Sequence, residues 1–298
     1  MTRYFCTYFD SNYLAQGVTL YLSLEAVCDA DFRLWVLCLD DACYAALANE
    51  RLEKITPVPL ATLIESDPEL AGARSNRSLF EFYFTCTAAF TAWVLRENDQ
   101  VDLLTYLDAD LYFFSDPQPI YRELEDASVG IIEHRFPESL RHLERYGLYN
   151  VAWVSFRRDE QGLACLDRWR TQCIEWCYDR LEGDRFADQK YLDAWPREFQ
   201  RVHSIQHKGA NLAPWNVARY RLSNGGGVQV DGQALIFYHY HGLKKLDFGS
   251  LYDAGLGINR AVMTPVLREQ VYRRILTALD ESRQRLAAMG APVPAPLG

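Results

Sequence analysis

The feature of this sequence that most constrains its fold is the alternation, in its first third, of short apolar runs with longer segments of helical periodicity. The apolar runs are RYFCTYF (3–9), FRLWVLCL (32–39), EKITPVP (53–59) and DLLTYL (102–107). Between them, the segment after Asp10 and the segments 41–50 and 79–96 place apolar residues at helical spacing. Strands that alternate with helices in this way predict βαβ units around a mainly parallel sheet.

The second half is less regular. It predicts strands in ASVGIIE, GLYNVAWVSF and ALIFYHY, helices at 160–182 and in ADQKYLDAW, and a turn at 225–227. A last amphipathic helix is expected at about 263–289, before a Pro-rich end. The 298 residues, 49% of them hydrophobic, are enough for one large α/β domain. We predict a catalytic domain at 1–260 and a C-terminal helix with a flexible tail at 261–298.

Charge and hydropathy exclude several classes of partner. The formal net charge is −9 and no run of Lys and Arg offsets it, so nucleic acid is not expected to bind. The sequence has no uninterrupted apolar run of about 18 residues and no leader pattern at its start, which predicts a cytoplasmic protein without a transmembrane segment. The eight cysteines lie mostly in apolar periodic stretches, as expected of reduced thiols.

Two acids follow one of the predicted strands directly. Asp108 and Asp110 end LLTYL, with Ala109 between them and apolar or aromatic residues on both sides. Open α/β sheets bind ligands beyond the carboxyl ends of their strands, and side chains two apart on an extended segment point the same way. Because hard cations such as Mn²⁺ or Mg²⁺ take carboxylate oxygens together with phosphates, the pair predicts a metal-diphosphate site. The alternative is a turn in which both acids are solvated or cap a helix.

A second candidate group follows the predicted strand ALIFYHY. The run is His239-Tyr240-His241-Gly242-Leu243-Lys244-Lys245. Its chemistry suits the same site, because a neutral imidazole binds metals, glycine lets the backbone approach a phosphate, and lysine neutralises charge on a leaving group. The alternative is an ordinary strand end with surface His and Lys side chains.

In order and spacing these motifs resemble those of the retaining family 8 glycosyltransferases, which include glycogenin and bacterial lipopolysaccharide galactosyl- and glucosyltransferases. The resemblance covers most of residues 4–245. It implies a GT-A nucleotide-diphospho-sugar transferase fold, a Rossmann-like mixed sheet flanked by helices. It also implies that Asp108, Asp110 and His239 hold Mn²⁺ or Mg²⁺, and that Lys245 contacts the diphosphate during catalysis.

The resemblance further implies which residues contact the donor and the transferred sugar. The expected donor-binding residues are Thr7, Tyr8, Asp10, Tyr13, Arg77, Asp108, Ala109, Asn150, Gly242 and Lys245. Asp188 and Gln189 resemble the Asp-Gln pair of the family and are expected to be catalytic, near the transferred sugar. Val151 and Ala152 replace the small Ser-Gly that follows Asn150 in the family, so a different sugar pocket is expected. Trp215, with Asn211, Pro214 and Asn216, either forms a sugar platform or belongs to the core.

The activity that the resemblance implies is metal-dependent, retaining transfer from a nucleotide-diphosphate sugar, a UDP-sugar, to a glycan or another hydroxyl acceptor. A lipid-linked glycan acceptor would place the protein peripherally at the inner face of a membrane. One alternative is a nucleotidyltransferase or pyrophosphorylase, which usually has a Gly-rich loop after its first strand. Here the first glycine is Gly17, which disfavours that class. The other alternative is a catalytically silent protein that binds sugar nucleotides.

Overall fold

The protein is described from a computed structural model, which covers residues 2–49, 52–245, 252–288 and 290, with Lys245 described by its backbone alone. Its centre is a seven-stranded sheet of order β3-β2-β1-β4-β7-β6-β8. The strands are β1 (Arg3–Phe9), β2 (Phe32–Cys38), β3 (Ile55–Pro59), β4 (Leu103–Leu107), β5 (Leu111–Phe113), β6 (Val129–Glu133), β7 (Tyr149–Arg157), β8 (Val202–Ser204), β9 (Leu222–Asn224), β10 (Val228–Val230), β11 (Gln233–Ala234), β12 (Phe237–His239), β13 (Lys244–Lys245) and β14 (Tyr252–Asp253).

The predicted parallel arrangement is confirmed in the first half of the sheet. Strand β1 pairs in parallel with β2 and β4, and β2 pairs in parallel with β3. Strand β7 is the exception, because it runs antiparallel to both β4 and β6. The carboxyl ends of β1 and β4 and the beginning of β7 therefore meet at one edge of the sheet, where an open α/β sheet binds its ligands.

Helices cover both faces of the sheet. They are α1 (Leu14–Val27), α2 (Asp41–Asn49), α3 (Leu60–Ser66), α4 (Pro68–Ala73), α5 (Leu79–Glu97), α6 (Gln118–Glu123), α7 (Glu160–Glu175), α8 (Trp195–Glu198) and α9 (Arg273–Ala288). Helix α5 begins with a capping box, in which Ser78 and Glu81 satisfy each other's backbone N–H groups. One apolar cluster joins α5 and α7 to one face of the sheet, and a second joins α1 and α2 to the other. The fold is thus an α/β structure with a mixed, mostly parallel sheet between layers of helices.

Several predicted elements are shorter than expected. The helix predicted at 160–182 ends at Glu175, and Trp176 is already extended. Arg77 explains this end, because its guanidinium donates to the carbonyl oxygens of Cys173 at 2.8 Å and Ile174 at 2.7 Å, which the next helical turn would otherwise occupy. The segment ADQKYLDAW forms a 3-10 helix, Lys190–Ala194, that leads into the four-residue α8.

The C-terminal helix packs on the main body of the protein. The segment predicted at 263–289 is a π-helical turn, Leu267–Tyr272, followed by α9, and the Pro-rich tail lies outside the described residues. Helix α9 contacts α1, where the hydroxyl oxygens of Thr19 and Ser282 are 2.8 Å apart and both are fully buried. None of the described helices is long and apolar enough to span a membrane.

Gly209 holds the loop that leads towards β12. Its carbonyl accepts the N–H groups of Ile236 at 2.8 Å and Phe237 at 3.2 Å, and a Cβ atom at this position would lie 1.8 Å from the carbonyl oxygen of Ala234. Backbone cannot move away as a flexible side chain can, so we expect Gly209→Ala to destabilise the protein by roughly 3 kcal/mol. Thermal denaturation measures the loss as a lower melting temperature.

The matched control for this substitution is Gly72→Ala. A Cβ atom on Gly72 meets nothing within 4 Å, and the residue lies in α4, where alanine is the better helix former. We expect its melting temperature to equal or exceed that of the unmodified protein. Equal melting temperatures for the two variants would contradict the close approach at Gly209.

Candidate functional site

Predicted site residues from distant parts of the sequence meet at the edge of the sheet formed by the ends of β1 and β4. Asp10 follows β1, Asp108 follows β4, and Asn150 lies near the start of β7. The register places Leu107 of β4 opposite Trp153 of β7, so the antiparallel strand brings its beginning to the same edge. The sheet topology, rather than proximity in sequence, therefore assembles the site.

Strands β5 and β12 bring the two predicted metal-binding motifs together. They pair antiparallel, with His239 opposite Leu111, and the N–H group of Tyr240 donates to the carbonyl oxygen of Asp110 at 3.1 Å. The N–H group of His239 donates to the carbonyl oxygen of Leu212 at 2.8 Å, which fixes β12 from its other side. Backbone hydrogen bonds thus hold the two motifs against each other.

Carboxylate and imidazole groups converge at this point. Nε2 of His239 lies 2.9 Å from Oδ1 of Asp110 and 3.9 Å from Oδ2 of Asp108, and Nδ1 of His241 lies 3.5 Å from Oδ2 of Asp110. His239 is 2% exposed, and neither of its ring nitrogens has a hydrogen-bond partner of acceptable geometry among the described residues. A buried imidazole with Nε2 this close to two carboxylates can serve with them as a metal ligand.

The electrostatics of the two acids differ. Burial alone would raise the pKa of Asp110, but the adjacent His239 and His241 outweigh burial and hold that pKa below its usual range. Burial raises the pKa of Asp108, and the charge of Asp110 adds to this effect against the opposing influence of His239. Asp108 also accepts a hydrogen bond from the Tyr106 hydroxyl at 3.0 Å. Asp110 is therefore the more firmly ionised of the two acids.

Asp110, His239 and His241 can each offer one ligand atom within 4.8 Å of the others, with Asp108 alongside. Asp108, Asp110 and His239 were predicted as ligands from the sequence, whereas His241 was not. Its signal was its position two residues after His239, directly beyond the predicted strand ALIFYHY. The residues present fit a divalent cation in the number and kind of their ligand atoms.

Two adjoining cavities flank this cluster. The first, here called the aromatic cavity, has a volume of about 220 Å³. It is lined by Tyr8, Phe9, Asp10, Tyr13, Leu39, Phe80, Tyr83, Phe84, Tyr106, Asp108, Ala109, Asp110 and His241. Of the predicted donor-binding residues in the first strand and the turn after it, Tyr8, Asp10 and Tyr13 lie here, together with aromatic residues of α5 that were not predicted from the sequence. Asp10 also caps the short 3-10 helix that follows β1, by accepting the N–H group of Asn12 at 3.0 Å.

The second, here called the histidine cavity, has a volume of about 420 Å³. It is lined by Tyr8, Phe84, Asp108, His134, Phe136, Leu143, Asn150, Val151, Asp179, Phe186, Ala187, Asp188, Gln189, Trp215, His239, His241 and Asn259. The two cavities share Tyr8, Phe84, Asp108 and His241, so the carboxylate and imidazole cluster lies where they meet. A ligand with a phosphate group in its middle would fit this arrangement, with a different end in each cavity.

Asn150 is held in one orientation at the wall of the histidine cavity. Burial lowers the pKa of His134 to about 4, so this imidazole is neutral. Its Nδ1 lies 3.3 Å from the carbonyl oxygen of Leu148 and its Nε2 lies 3.3 Å from Nδ2 of Asn150. The first nitrogen therefore donates and the second accepts, which orients the Asn150 amide. His134 was not identified from the sequence, where it appears as a single histidine after a strand.

Trp215 belongs to the same wall. Its indole N–H donates to the carbonyl oxygen of His134 at 3.0 Å, and its ring contacts those of His239 and His241 edge to face, with centroids 5.0 and 6.0 Å apart. Asn216 donates to the same carbonyl at 2.9 Å. Trp215 is 8% exposed and packs in a small buried cluster with Leu140 and Ala213, and it also lines the histidine cavity, so features of both interpretations are present.

Asp188 and Gln189 also line the histidine cavity. The preceding residue, Ala187, has a φ of +46°, an unfavourable value for a residue with a Cβ atom that turns the chain towards the cavity. Burial raises the pKa of Asp188 to about 7, and the charge of Asp108 adds to the shift. The Gln189 amide donates to the carbonyl oxygen of Tyr146 at 3.0 Å, which fixes its direction.

Two of the predicted residues, Thr7 and Arg77, line neither cavity. Thr7 is fully buried within β1. The guanidinium of Arg77 donates to the end of α7 and to the Thr85 hydroxyl at 2.6 Å instead. Gly242 has a φ of +70°, which only glycine adopts easily, and turns the chain after His241. The side chain of Lys245 lies outside the described residues.

The fold and the position of the cluster define the class of structure as GT-A. It matches mouse xyloside xylosyltransferase 1, apo form, with a TM-score of 0.53 and 13% identity over 81% of this chain and 98% of that one. It matches galactosyltransferase LgtC in complex with donor and acceptor sugar analogs, with a TM-score of 0.51 and 18% identity over 90% of this chain and all of that one. An active-site mutant of LgtC matches with a TM-score of 0.53. At these identities the likeness establishes the fold.

The chain belongs to the same family as YfnD and YfnF of Bacillus subtilis (strain 168). It is 34% identical to YfnD over 245 residues, which cover 81% of this chain and 78% of YfnD. It is 34% identical to YfnF over 253 residues, 82% of each chain. No protein-family model matches the sequence. The names YfnD and YfnF state no activity, so the family relation alone assigns none.

Proposed function

We propose that the protein is a metal-dependent glycosyltransferase that moves a sugar from a nucleotide-diphosphate sugar, a UDP-sugar, to a hydroxyl of a glycan acceptor. The observation that carries the proposal is the cluster of Asp108, Asp110, His239 and His241, which lies where two cavities meet at the ligand-binding edge of a GT-A sheet. The named activities of the structural neighbours, xylosyl and galactosyl transfer, support the same class of reaction.

The two cavities suggest how the donor lies. The aromatic cavity suits the nucleoside, because the rings of Tyr13, Tyr83 and Phe84 offer faces for a base. The histidine cavity suits the sugar, because the Asn150 amide is already oriented and Trp215 offers an apolar surface beside polar groups. The diphosphate would then lie at the cluster between the cavities.

The proposed chemistry breaks the bond between the sugar carbon C1 and the diphosphate oxygen, while the acceptor hydroxyl oxygen forms a new bond to C1 and its proton passes to the departing diphosphate. A divalent cation held by Asp108, Asp110 and the imidazoles would supply positive charge for the departing nucleoside diphosphate. We further propose that Lys245 contributes charge to the same group and that Gly242 brings backbone close to it. Asp188 and Gln189 lie on the wall of the sugar cavity and would orient the sugar, with retention of configuration at C1.

The experiment that tests the proposal combines binding with product release. Sugar nucleotides with different bases and sugars are tested by thermal shift in Mn²⁺ and in EDTA, and free nucleoside diphosphate is measured. We expect one UDP-sugar to raise the melting temperature by roughly 5 °C in the presence of Mn²⁺ and not in EDTA. A ligand at about 100 times its Kd adds about 2.7 kcal/mol to the free energy of unfolding. We expect that donor to release UDP.

Other outcomes distinguish the remaining functional classes. Donor binding without release of UDP, with glycan acceptors present, would identify a catalytically silent binding protein. Release of inorganic pyrophosphate from a nucleoside triphosphate and a sugar phosphate would identify a pyrophosphorylase. Either result would overturn the proposed transfer.

A further inference from the structure

His241 lies beside two acids and His239, which could already bind a cation without it. It lies two residues beyond His239, after β12 has ended, and its Nδ1 atom is 3.5 Å from Oδ2 of Asp110. Its side chain is 68% exposed, whereas that of His239 is 3% exposed. It also lines both cavities. The His241 imidazole therefore approaches the carboxylate of Asp110 from the exposed side of the cluster. Without this imidazole, a bound diphosphate would meet only carboxylates on that side.

The two imidazoles form one arrangement around the carboxylates. Their ring centroids are 5.6 Å apart and their planes lie at 83° to each other. Trp215 contacts both rings at their edges, which restrains them from the side of the histidine cavity. Gly242, with its φ of +70°, turns the chain immediately afterwards and leaves the space beside it open. The ring of His241 is therefore restrained by its contact with Trp215 and by the turn at Gly242.

The kind of ligand decides which cation the site prefers. Carboxylates alone suit Mg²⁺, which holds its water and usually relies on substrate phosphates to complete its coordination. Imidazole nitrogens bind transition ions, Mn²⁺ included, more readily than they bind Mg²⁺, which favours oxygen ligands, and each added protein ligand reduces the need for substrate phosphates. A site with two carboxylates and two imidazoles thus differs from one with two carboxylates and one imidazole in the cation that it prefers and in its need for substrate phosphates.

We propose that His241 is a fourth protein ligand of the metal, and that it lets the site hold Mn²⁺ in preference to Mg²⁺ before any nucleotide binds. The inference rests on the metal site of the proposed function and deepens it by assigning the order of binding. The donor would then meet a site already loaded with its cation.

The test measures metal binding directly, in the absence of nucleotide. Binding of Mn²⁺ is followed by the loss of its free-ion EPR signal, and Mg²⁺ is titrated in as a competitor. We expect His241→Ala to weaken nucleotide-free binding of Mn²⁺ by at least about tenfold and to reduce the preference for Mn²⁺ over Mg²⁺. Visible absorption of bound Co²⁺ should change with the loss of one nitrogen ligand.

Two controls keep the result interpretable. Because His241 is exposed, its alanine variant is expected to keep the melting temperature of the metal-free protein. His142→Ala removes an imidazole that lines neither cavity, from the 3-10 helix Glu138–Tyr146, and is expected to leave Mn²⁺ binding unchanged.

The outcomes separate this inference from the proposed function. Equal affinity of the His241→Ala variant and the unmodified protein for Mn²⁺ would overturn the role of His241 and leave the metal site itself standing. Absence of Mn²⁺ binding to both proteins, with and without UDP, would overturn the metal site and this inference with it.

Discussion

Replacing Asp110 with asparagine is expected to abolish metal-dependent binding of the donor while the protein remains folded. Asp110 is the acid that lies near both imidazoles, at 2.9 Å from His239 and 3.5 Å from His241, and their proximity keeps its pKa low. Asparagine has the same shape but no charge, and its amide presents one oxygen instead of two. We expect affinity for Mn²⁺ to fall by at least about a hundredfold, since even outer partners of metal ligands are worth 10–100-fold.

The measurement is the stabilisation that Mn²⁺ and UDP together give in thermal denaturation. Asp110→Asn is expected to lose that stabilisation and to keep its circular dichroism spectrum. The control is Asp99→Asn, which removes a fully exposed carboxylate that lies 3.8 Å from Arg158. Metal-dependent UDP binding of unchanged strength in the Asp110 variant would contradict the assignment of the cluster.

The second prediction with a large expected effect concerns how the stability of the protein depends on pH through Asp188. Asp188 is 7% exposed and its pKa is raised to about 7 from an ordinary value of 3.8. The folded protein therefore retains a proton that the unfolded chain loses, so the contribution of Asp188 to stability is present below pH 4 and is lost as the pH rises through 7. The loss amounts to about 4 kcal/mol, at about 1.4 kcal/mol for each pH unit between the two values.

Asparagine does not titrate, so Asp188→Asn should escape this loss. We expect the variant to melt roughly 5–10 °C above the unmodified protein at pH 8 in EDTA, and to differ little from it at pH 4. Because Asp188 lines the sugar cavity, we also expect the variant to lose sugar transfer. Greater stability with less activity is the usual result when a strained or buried catalytic group is removed.

Asp184→Asn is the matched control, because Asp184 is an exposed acid four residues earlier in the chain. It is expected to leave the melting temperature unchanged at both pH values. An Asp188→Asn variant that gains no stability at pH 8 relative to pH 4 would contradict the buried, protonated state of this carboxyl.

The sheet could be predicted from the sequence because its strands are dense apolar runs that alternate with helices. Strands β1, β2 and β4 and helix α5 were found on this basis. Strand β5, with only three residues, and the short helices α3 and α4 were missed, since so few residues establish no period. The end of α7 was missed for a different reason, because it depends on a guanidinium from far away in the sequence.

Some residues of the candidate site could likewise be predicted from the sequence, and others could not. The place of the acids 108 and 110 at the ligand-binding edge could be predicted because they directly follow the dense apolar run of β4, and the approach of residue 239 was expected from the order of motifs in the resemblance. His134 could not, because its role depends on a neutral tautomer set by burial between Leu148 and Asn150. Arg77 was expected at the donor, yet the structure shows its guanidinium bonded to the backbone of α7. A basic residue before a helix does not by itself distinguish a ligand contact from a helix cap.

The pairing of β5 with β12 has a consequence for biosynthesis. The acids of the cluster leave the ribosome well before the imidazole at 239, because β12 lies near the end of the main body of the chain. A nascent chain that has not reached Phe237 contains both carboxylates without the strand that brings His239 to them. The cluster that we propose as a metal site is therefore completed only after residue 239 has been synthesised, long after both carboxylates.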